Sequence, residues 1–208
     1  MAMARSADFK TPVCRLSYAQ GLFKPRAMDN GPAKFGCTLI FDLAARKELE
    51  QYVKEVIIAQ WGDKGIERAK KGLIKSPFLA GDGKEAMSKK TGELSPGMGK
   101  DVFFIRVTAG EDRPPFVIWK SPNIQETEAN VYSGCYGKAV LNAFAWHNDK
   151  SGDGVSFGVQ GFQRLRDGER LGGGGATDPK DWAESIEDTG DAPEETRAGA
   201  GAGALFGS

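Results

Sequence analysis

Val131–Trp146, VYSGCYGKAVLNAFAW, is the stretch whose reading decides the fold. It alternates over too long a run to be a loop. One set of alternate residues is Val131, Ser133, Cys135, Gly137, Ala139, Leu141, Ala143 and Ala145; the other is Tyr132, Gly134, Tyr136, Lys138, Val140, Asn142, Phe144 and Trp146. Successive side chains of a strand point to opposite faces, so the pattern predicts a strand with a small apolar face on a core and a face of rings, an ammonium and an amide turned outward. Rings interleaved with a cation on an open sheet suit stacked bases beside a phosphate backbone. The competing reading turns Phe144 and Trp146 inward past a bulge and leaves a strand with two tyrosines.

Working outward toward the C-terminus, HNDKSGDG (147–154) turns the chain, and Val155, Phe157 and Val159 return as the second arm of a hairpin, with Gly158 and Gly161 permitting a bulge. Phe162–Leu165 then closes the sheet. Toward the N-terminus, Phe116–Lys120 is a short strand stopped by Ser121-Pro122, and Val102–Val107 has so few polar residues that it is expected to be buried on both faces. Val13–Tyr18, running on to Leu22-Phe23, and Lys34–Phe41 form a further long hairpin around the turn-rich DNGP at 29–32.

Helix signals are confined to one region. Asp42 is placed as an N-cap, and Leu49, Tyr52, Val53, Val56 and Ile57 recur at spacings of three and four, which gives one apolar stripe to lay on a sheet. A second short helix is expected through Ile66–Lys71. Ser76–Lys100 lacks periodicity and reads as a long irregular excursion; its GDGK (81–84) lacks the spacing and the strand–loop–helix context of a phosphate-binding loop. The fold class is therefore mainly β with one or two helices. The domain reading is a mobile leader over 1–12, one binding domain over 13–171, and a Gly-rich hinge and acidic disordered tail over 172–208.

The chain has 208 residues, 40% hydrophobic and 27% charged, enough for one good-sized domain and a tail. Its formal net charge of zero conceals a division. From Thr177 onward eight acidic residues face two basic ones, a net of −6 that leaves +6 on the rest of the chain. A basic body suits a polyanion, and an acidic tail competes for that surface or recruits a partner. Cys14, Cys37 and Cys135 are far apart, without a CxxC pair, and His147 is the only histidine, so buried free thiols are expected and neither a metal nor any other cofactor. No nucleophile elbow, metal spacing or carboxylate pair in an apolar context is present, which argues against an enzyme. No run reaches the ~18 apolar residues of a membrane span, nor does the N-terminus resemble a signal peptide, so a cytoplasmic protein without a membrane partner is expected.

Three segments, RLSYAQGLFKP (15–25), VYSGCYGKAVLNAFAW, and GVSFGVQGFQRLRDGERLGG (154–173), resemble in order and spacing a family of tailed-bacteriophage single-stranded DNA-binding proteins, formerly a domain of unknown function. YSGCY (132–136) and RDGERLGG (166–173) are the most specific parts. The resemblance implies an OB-type β-barrel that binds single-stranded DNA without sequence preference in phage replication or recombination, within the host cytoplasm. It also implies a tail that meets replication or recombination proteins through Glu194, Glu195, Leu205 and Phe206, although Gly207 and Ser208 follow Phe206 here. The residues expected to contact DNA are the rings Tyr18, Phe23, Trp119, Tyr132, Tyr136 and Trp146 and the cations Arg15, Lys24, Arg26, Lys34, Arg106, Lys120 and Lys138. The alternative is a phage structural or assembly module that binds protein and not nucleic acid. Oligomeric state is left open by the sequence.

Overall fold

A computed structural model describes residues 3–27, 31–89, 91–119 and 121–172. In chain order the strands and helices are β1 (Phe9–Lys10), β2 (Cys14–Ser17), β3 (Lys34–Asp42), α1 (Arg46–Trp61), α2 (Asp63–Lys70), β4 (Ile74–Lys75), β5 (Leu79–Ala80), β6 (Val102–Gly110), β7 (Phe116–Trp119), β8 (Ser121–Gln125), β9 (Tyr136–Asn148) and β10 (Gly152–Arg166). None of the described helices is long and apolar enough to cross a membrane.

The decisive stretch enters its strand five residues later than its alternation suggests. Tyr132–Cys135 is a turn, closed by the Cys135 N–H donating to the Tyr132 carbonyl at 3.2 Å. Gly134 sits there at φ 117°, where a Cβ would overlap the Glu169 carbonyl, so only glycine fits. From Gly137 the alternation holds: Ala139, Leu141, Ala143 and Ala145 are buried, and Phe144 and Trp146 stay half-buried on the opposite face. The register from Val155 to Val159 against Ala145 to Leu141 is unbroken, so no bulge turns those rings inward.

The bulges lie on β10. Its register with β9 shifts between Val159 and Gly161 and again between Arg164 and Arg166. The first extra residue exchanges the two faces of β10, so that Val155, Phe157 and Val159 point into the core before it and Phe162 after it, paired with Ala139. What reads in sequence as two segments is one bent strand.

That bend closes the sheet. β2 pairs antiparallel with β3, β3 with β6, β6 runs parallel to β10, β10 antiparallel to β9, and β9 returns to β2. This circuit is a five-stranded barrel of the OB type. Leu16, Cys37, Leu39, Phe41, Phe103, Ile105, Phe157 and Phe162 fill it, and Leu49, Val53, Val56 and Ile57 of α1 join the same core. Each fully buried large side chain contributes about 1.5–3 kcal/mol. The outer face of β3 and β6 is covered too: Ile40 and Phe104 pack with Ala86 and Leu171 and with Leu79 and Met98 from the irregular excursion. β6 is thus buried on both faces over Phe103–Ile105, whereas its outer face opens at Arg106 and Thr108, so the expectation of burial on both faces holds for its first half alone.

Three expectations are corrected. The leader is not free over its described part: Arg5 bridges Phe144, β1 pairs with Leu141 and Val140, and the Phe9 ring stacks on Tyr52 of α1 at 3.6 Å. Two strand residues are too few for a period to show in sequence. Asp42 makes no side-chain cap; it ends β3, a 3-10 turn at Leu43–Ala45 follows, and α1 begins at Arg46. α2 starts at Asp63, three residues earlier than expected.

The turn between β9 and β10 is latched to α2. His147 Nδ1 lies 2.8 Å from Asp153 Oδ1 and Nε2 lies 3.3 Å from Asp149, while Arg68 Nη2 donates to Asp153 Oδ2 at 2.6 Å. The hydrogen bond to Asp153 raises the pKa of His147, and the His147 and Arg68 contacts lower that of Asp153. The stabilisation from Asp153 is present above the ordinary carboxylate range near ~3.9 and is lost as pH falls, whereas that from His147 is present below ~6.5 and is lost as pH rises through its raised value. The latch is therefore fully formed between these limits. An NMR titration is expected to place the His147 pKa above 6.5 in the native chain and lower in Asp153→Asn; equal values in both would refute the latch.

Candidate nucleic-acid interface

Most of the described cations and rings expected to contact DNA fall on the outside of the barrel, in three places. The first is the end of the β2–β3 hairpin. Tyr18 is 65% exposed and adopts φ 57°, ψ 44°, the one non-glycine residue at positive φ among those described. A left-handed tyrosine costs roughly 1 kcal/mol and is held by its surroundings: the Ala19 N–H donates to Ser133 Oγ at 3.1 Å, and Leu22 is buried. Phe23 is half-buried against the core, so it is a supporting residue more than an open ring. Lys24 pairs with Glu128 at 2.7 Å, Arg26 reaches Gln20 Oε1 at 2.8 Å and bridges Lys34 through the backbone, and Lys34 is exposed.

The second lies beside it, at the foot of β9. Arg15 faces Tyr136 across β2 and β9, and Tyr136 faces Arg166 across β9 and β10. The Arg166 guanidinium stacks 3.7 Å from the Tyr136 ring centroid and that of Arg15 lies at 5.7 Å. Arg170 covers Tyr132 at 4.2 Å. The Tyr132 hydroxyl lies 2.7 Å from Asp167 Oδ1 and 3.1 Å from the Gly168 carbonyl, and burial with Asp167 as acceptor raises its pKa. Asp167, held below the usual range by Tyr132 and then Arg164, also accepts from Arg164 Nη2 at 2.6 Å. Arg164 reaches the buried Glu126 at 3.8 Å and lies 5.2 Å from the centroid of the half-buried Trp119 ring. The strap after β10 is pinned further by Arg15 Nη2 donating to the Glu169 carbonyl at 2.7 Å and the Leu171 N–H to the Ser133 carbonyl at 2.8 Å. The two tyrosines thus anchor the strap and present guanidinium planes to solvent.

The third is a groove that brings together Arg106 and Trp146 with Lys75 and Ser156. Lys138, half-buried, stands apart on β9 opposite Gln163. Lys120, Glu194, Glu195, Leu205 and Phe206 lie outside the described residues.

Several contributors were missed by the sequence reading. Arg166 and Arg170 lie within the RDGER run, which was noted as a motif but not as a contact surface. Lys75 is one of many lysines, and nothing local distinguishes it. Phe116, 41% exposed, lies over Gly161, where a Cβ would enter its ring; only the β7–β10 pairing reveals this.

No cluster of three potential ligands occurs among the described residues. Burial pushes the Cys14 thiol up to about 12 and raises Cys37 and Cys135 as well, which leaves them unreactive.

An OB-type barrel carrying guanidinium–tyrosine stacks and exposed rings beside cations belongs to the class of nucleic-acid-binding modules. The family described as the ssDNA-binding protein of Enterobacter phage Enc34 matches residues 7–193, and the chain belongs to that family of phage single-stranded DNA-binding proteins. A protein named p50 of Acyrthosiphon pisum secondary endosymbiont phage 1 is 28% identical over 154 residues, 72% of this chain and 74% of that one. Among solved structures, the bacteriophage Enc34 single-stranded DNA-binding protein in complex with ssDNA is 17% identical and covers 79% of this chain and 89% of its own, with a TM-score of 0.58. A further structure of the bacteriophage Enc34 single-stranded DNA-binding protein is also 17% identical and covers 88% of this chain and 99% of its own, with a TM-score of 0.56. These two likenesses carry the fold.

The tyrosine anchor is testable by itself. Tyr132→Phe removes the bonds to Asp167 and Gly168 while keeping the ring under Arg170, and is expected to lower stability by about 1 kcal/mol in urea unfolding. An unchanged midpoint would show that the hydroxyl does not hold the strap.

Proposed function

We propose that this protein binds single-stranded DNA without sequence preference and covers it during phage DNA replication or recombination, in the cytoplasm of the host. Membership of the phage single-stranded DNA-binding family over residues 7–193 carries this reading. It also displaces the alternative of an assembly module without nucleic-acid binding. The barrel adds a physical rationale. In this reading exposed Tyr18 and half-buried Trp146 offer ring faces to bases, and Arg15, Lys24, Arg26, Lys34, Arg106 and Lys138 supply the phosphate contacts. Tyr132 and Tyr136 act in this reading through the arginines stacked on them, with Phe23 and Trp119 as supports; Lys120 is retained from the sequence.

Binding is expected to be tight and salt-sensitive for an oligo-dT of about 30 nucleotides and weak for the matching duplex, measured by fluorescence anisotropy at low and moderate salt. Equal affinity for both would mean a general basic surface, and no binding by the folded chain would return the case to the assembly reading.

The binding unit in this proposal is the barrel with its strap, to about residue 171, and the segment beyond is a hinge and acidic tail. Its net charge of −6 competes with DNA for the basic body, and its Glu194, Glu195, Leu205 and Phe206 meet a replication or recombination partner. Deleting Thr177–Ser208 is expected to tighten oligo-dT binding at low salt and to matter less as salt rises. Unchanged affinity across the salt series would remove the competition.

A further inference from the structure

Across β9, β10 and their neighbours, the outward residues line up in rows. Trp146 on β9 faces Gly154 on β10, which faces Lys75 on β4. One row along, Phe144 faces Ser156, and because Phe157 lies beside Val107, Ser156 lies beside Arg106 on β6. In the third row Asn142 faces Gly158. β10 thus contributes only Gly154, Ser156 and Gly158 to this surface, between a wall of rings and a wall of cations. Strands lie about 4.8 Å apart, so the backbones that carry the rings and the cations stand roughly 10 Å apart, with only small residues on the strand between them. The result is a groove of about 210 Å³ whose lining includes Lys75, Arg106, Trp146 and Ser156.

Its ring wall is preorganised. A Cβ at Gly154 would fall inside the Trp146 indole, so the glycine lets that ring lie down on the sheet. Trp146 Nε1–H donates to Ser156 Oγ at 2.9 Å, which fixes the ring and satisfies its one polar atom. Lys75 Nζ stands 6.0 Å from the indole centroid, at the limit of a direct cation–π contact. The Arg5 guanidinium lies 5.5 Å from the Phe144 ring, and the Arg5 backbone bridges β9 at the edge opposite β10. Arg106 is held by Glu85, through Nη1 to Oε2 at 3.1 Å and Nη2 to the backbone carbonyl at 3.1 Å.

We propose that this groove, with the Phe144 ring beside it opposite Ser156, is a two-nucleotide subsite, in which consecutive bases of a single strand stack on Trp146 and Phe144 and their phosphates lie along Lys75 and Arg106. The inference rests on the single-stranded DNA reading and deepens it by assigning one part of the path. Successive outward residues of a strand are about 6.7 Å apart, so the two ring–cation rows repeat along β9 as the nucleotides of an extended strand would. With the indole N–H already bonded to Ser156, Trp146 offers its π-face alone, and stacking on a π-face tolerates any base. A phosphate reaching Arg106 exchanges with the Glu85 carboxylate, so Glu85 weakens this subsite and its removal strengthens it.

The test uses the full chain and the same oligo-dT. Lys75→Gln with Arg106→Gln changes two exposed side chains and leaves the core intact, which circular dichroism checks. The double variant is expected to bind about tenfold more weakly at low salt, with the slope of log affinity against log salt shallower by about 1.4, two phosphate contacts at ~0.7 each. Glu85→Gln is expected to tighten binding. Photo-cross-linking with bromodeoxyuridine in the oligonucleotide is expected to mark the tryptic peptide of residues 139–150, which holds both rings. Native binding with affinity and slope unchanged in the double variant, or cross-links only outside that peptide, overturns the subsite while leaving single-strand binding intact. Failure of the native chain to bind the oligonucleotide overturns both.

Discussion

Closure of the barrel depends on the pairing of β9 with β10, and in particular on the extra residue that bends β10 near Gln160. A straight fifteen-residue strand would keep one face toward β9's buried alanines along its whole length. By exchanging faces midway, β10 directs Val155, Phe157 and Val159 inward over one half and Phe162 over the other. It can then run parallel to β6 at Phe157 and to β7 at Gly161–Arg164. Further elements attach along this bent strand: β4 lies at its start, α2 is latched to its turn through Arg68 and Asp153, and the strap leaves its end.

The same strand shapes the outer surface. Its outward residues are glycines and a serine where β9 carries rings, and large side chains there would occupy the space in which Trp146 and Phe116 now lie flat. Small residues on one strand and rings on its neighbour make a recess on a sheet that would otherwise be a ridge. The strap uses the opposite device. Tyr132 and Tyr136 are covered by Arg170 and Arg166, and Leu171 is buried with Ile40 and Phe104, so the last residues of the barrel domain are integral to it. Guanidinium planes stacked on tyrosines keep their charge and their N–H groups available while losing little side-chain freedom on contact with phosphate.

Much of the architecture was legible because burial leaves a period in sequence. The inward set Ala139, Leu141, Ala143 and Ala145 follows from alternation and the apolar stripe of α1 from a 3.6-residue repeat, while the apolar run that opens β6 marks the part of it buried on both faces. Reading failed where the period is interrupted or too short. The glycine turn at Ser133-Gly134 hides the true start of β9, the bulge splits β10 in two, and the two residues of β1 show no pattern at all. The candidate site was legible as a list of rings and cations but not as a surface. Tyr18 and Trp146 have exposed or half-exposed ring faces, whereas Tyr132 and Tyr136 are already stacked, and no local feature separates the two kinds.

Residue order alone determined the β-rich class, the one strong helix, the buried thiols, the division of charge between residues 1–176 and 177–208, and the motifs YSGCY and RDGERLGG. These are properties of local pattern and composition, carried by side-chain type and spacing. Only the tertiary structure decided which strands meet to close the barrel, that Arg166 and Arg170 cap the tyrosines, and that Lys75 stands across Gly154 from Trp146. The physical reason is register. Neighbours across a sheet are set by long-range pairing and by bulges on one strand, and Lys75 and Trp146 are too far apart in sequence for a local period to encode that meeting.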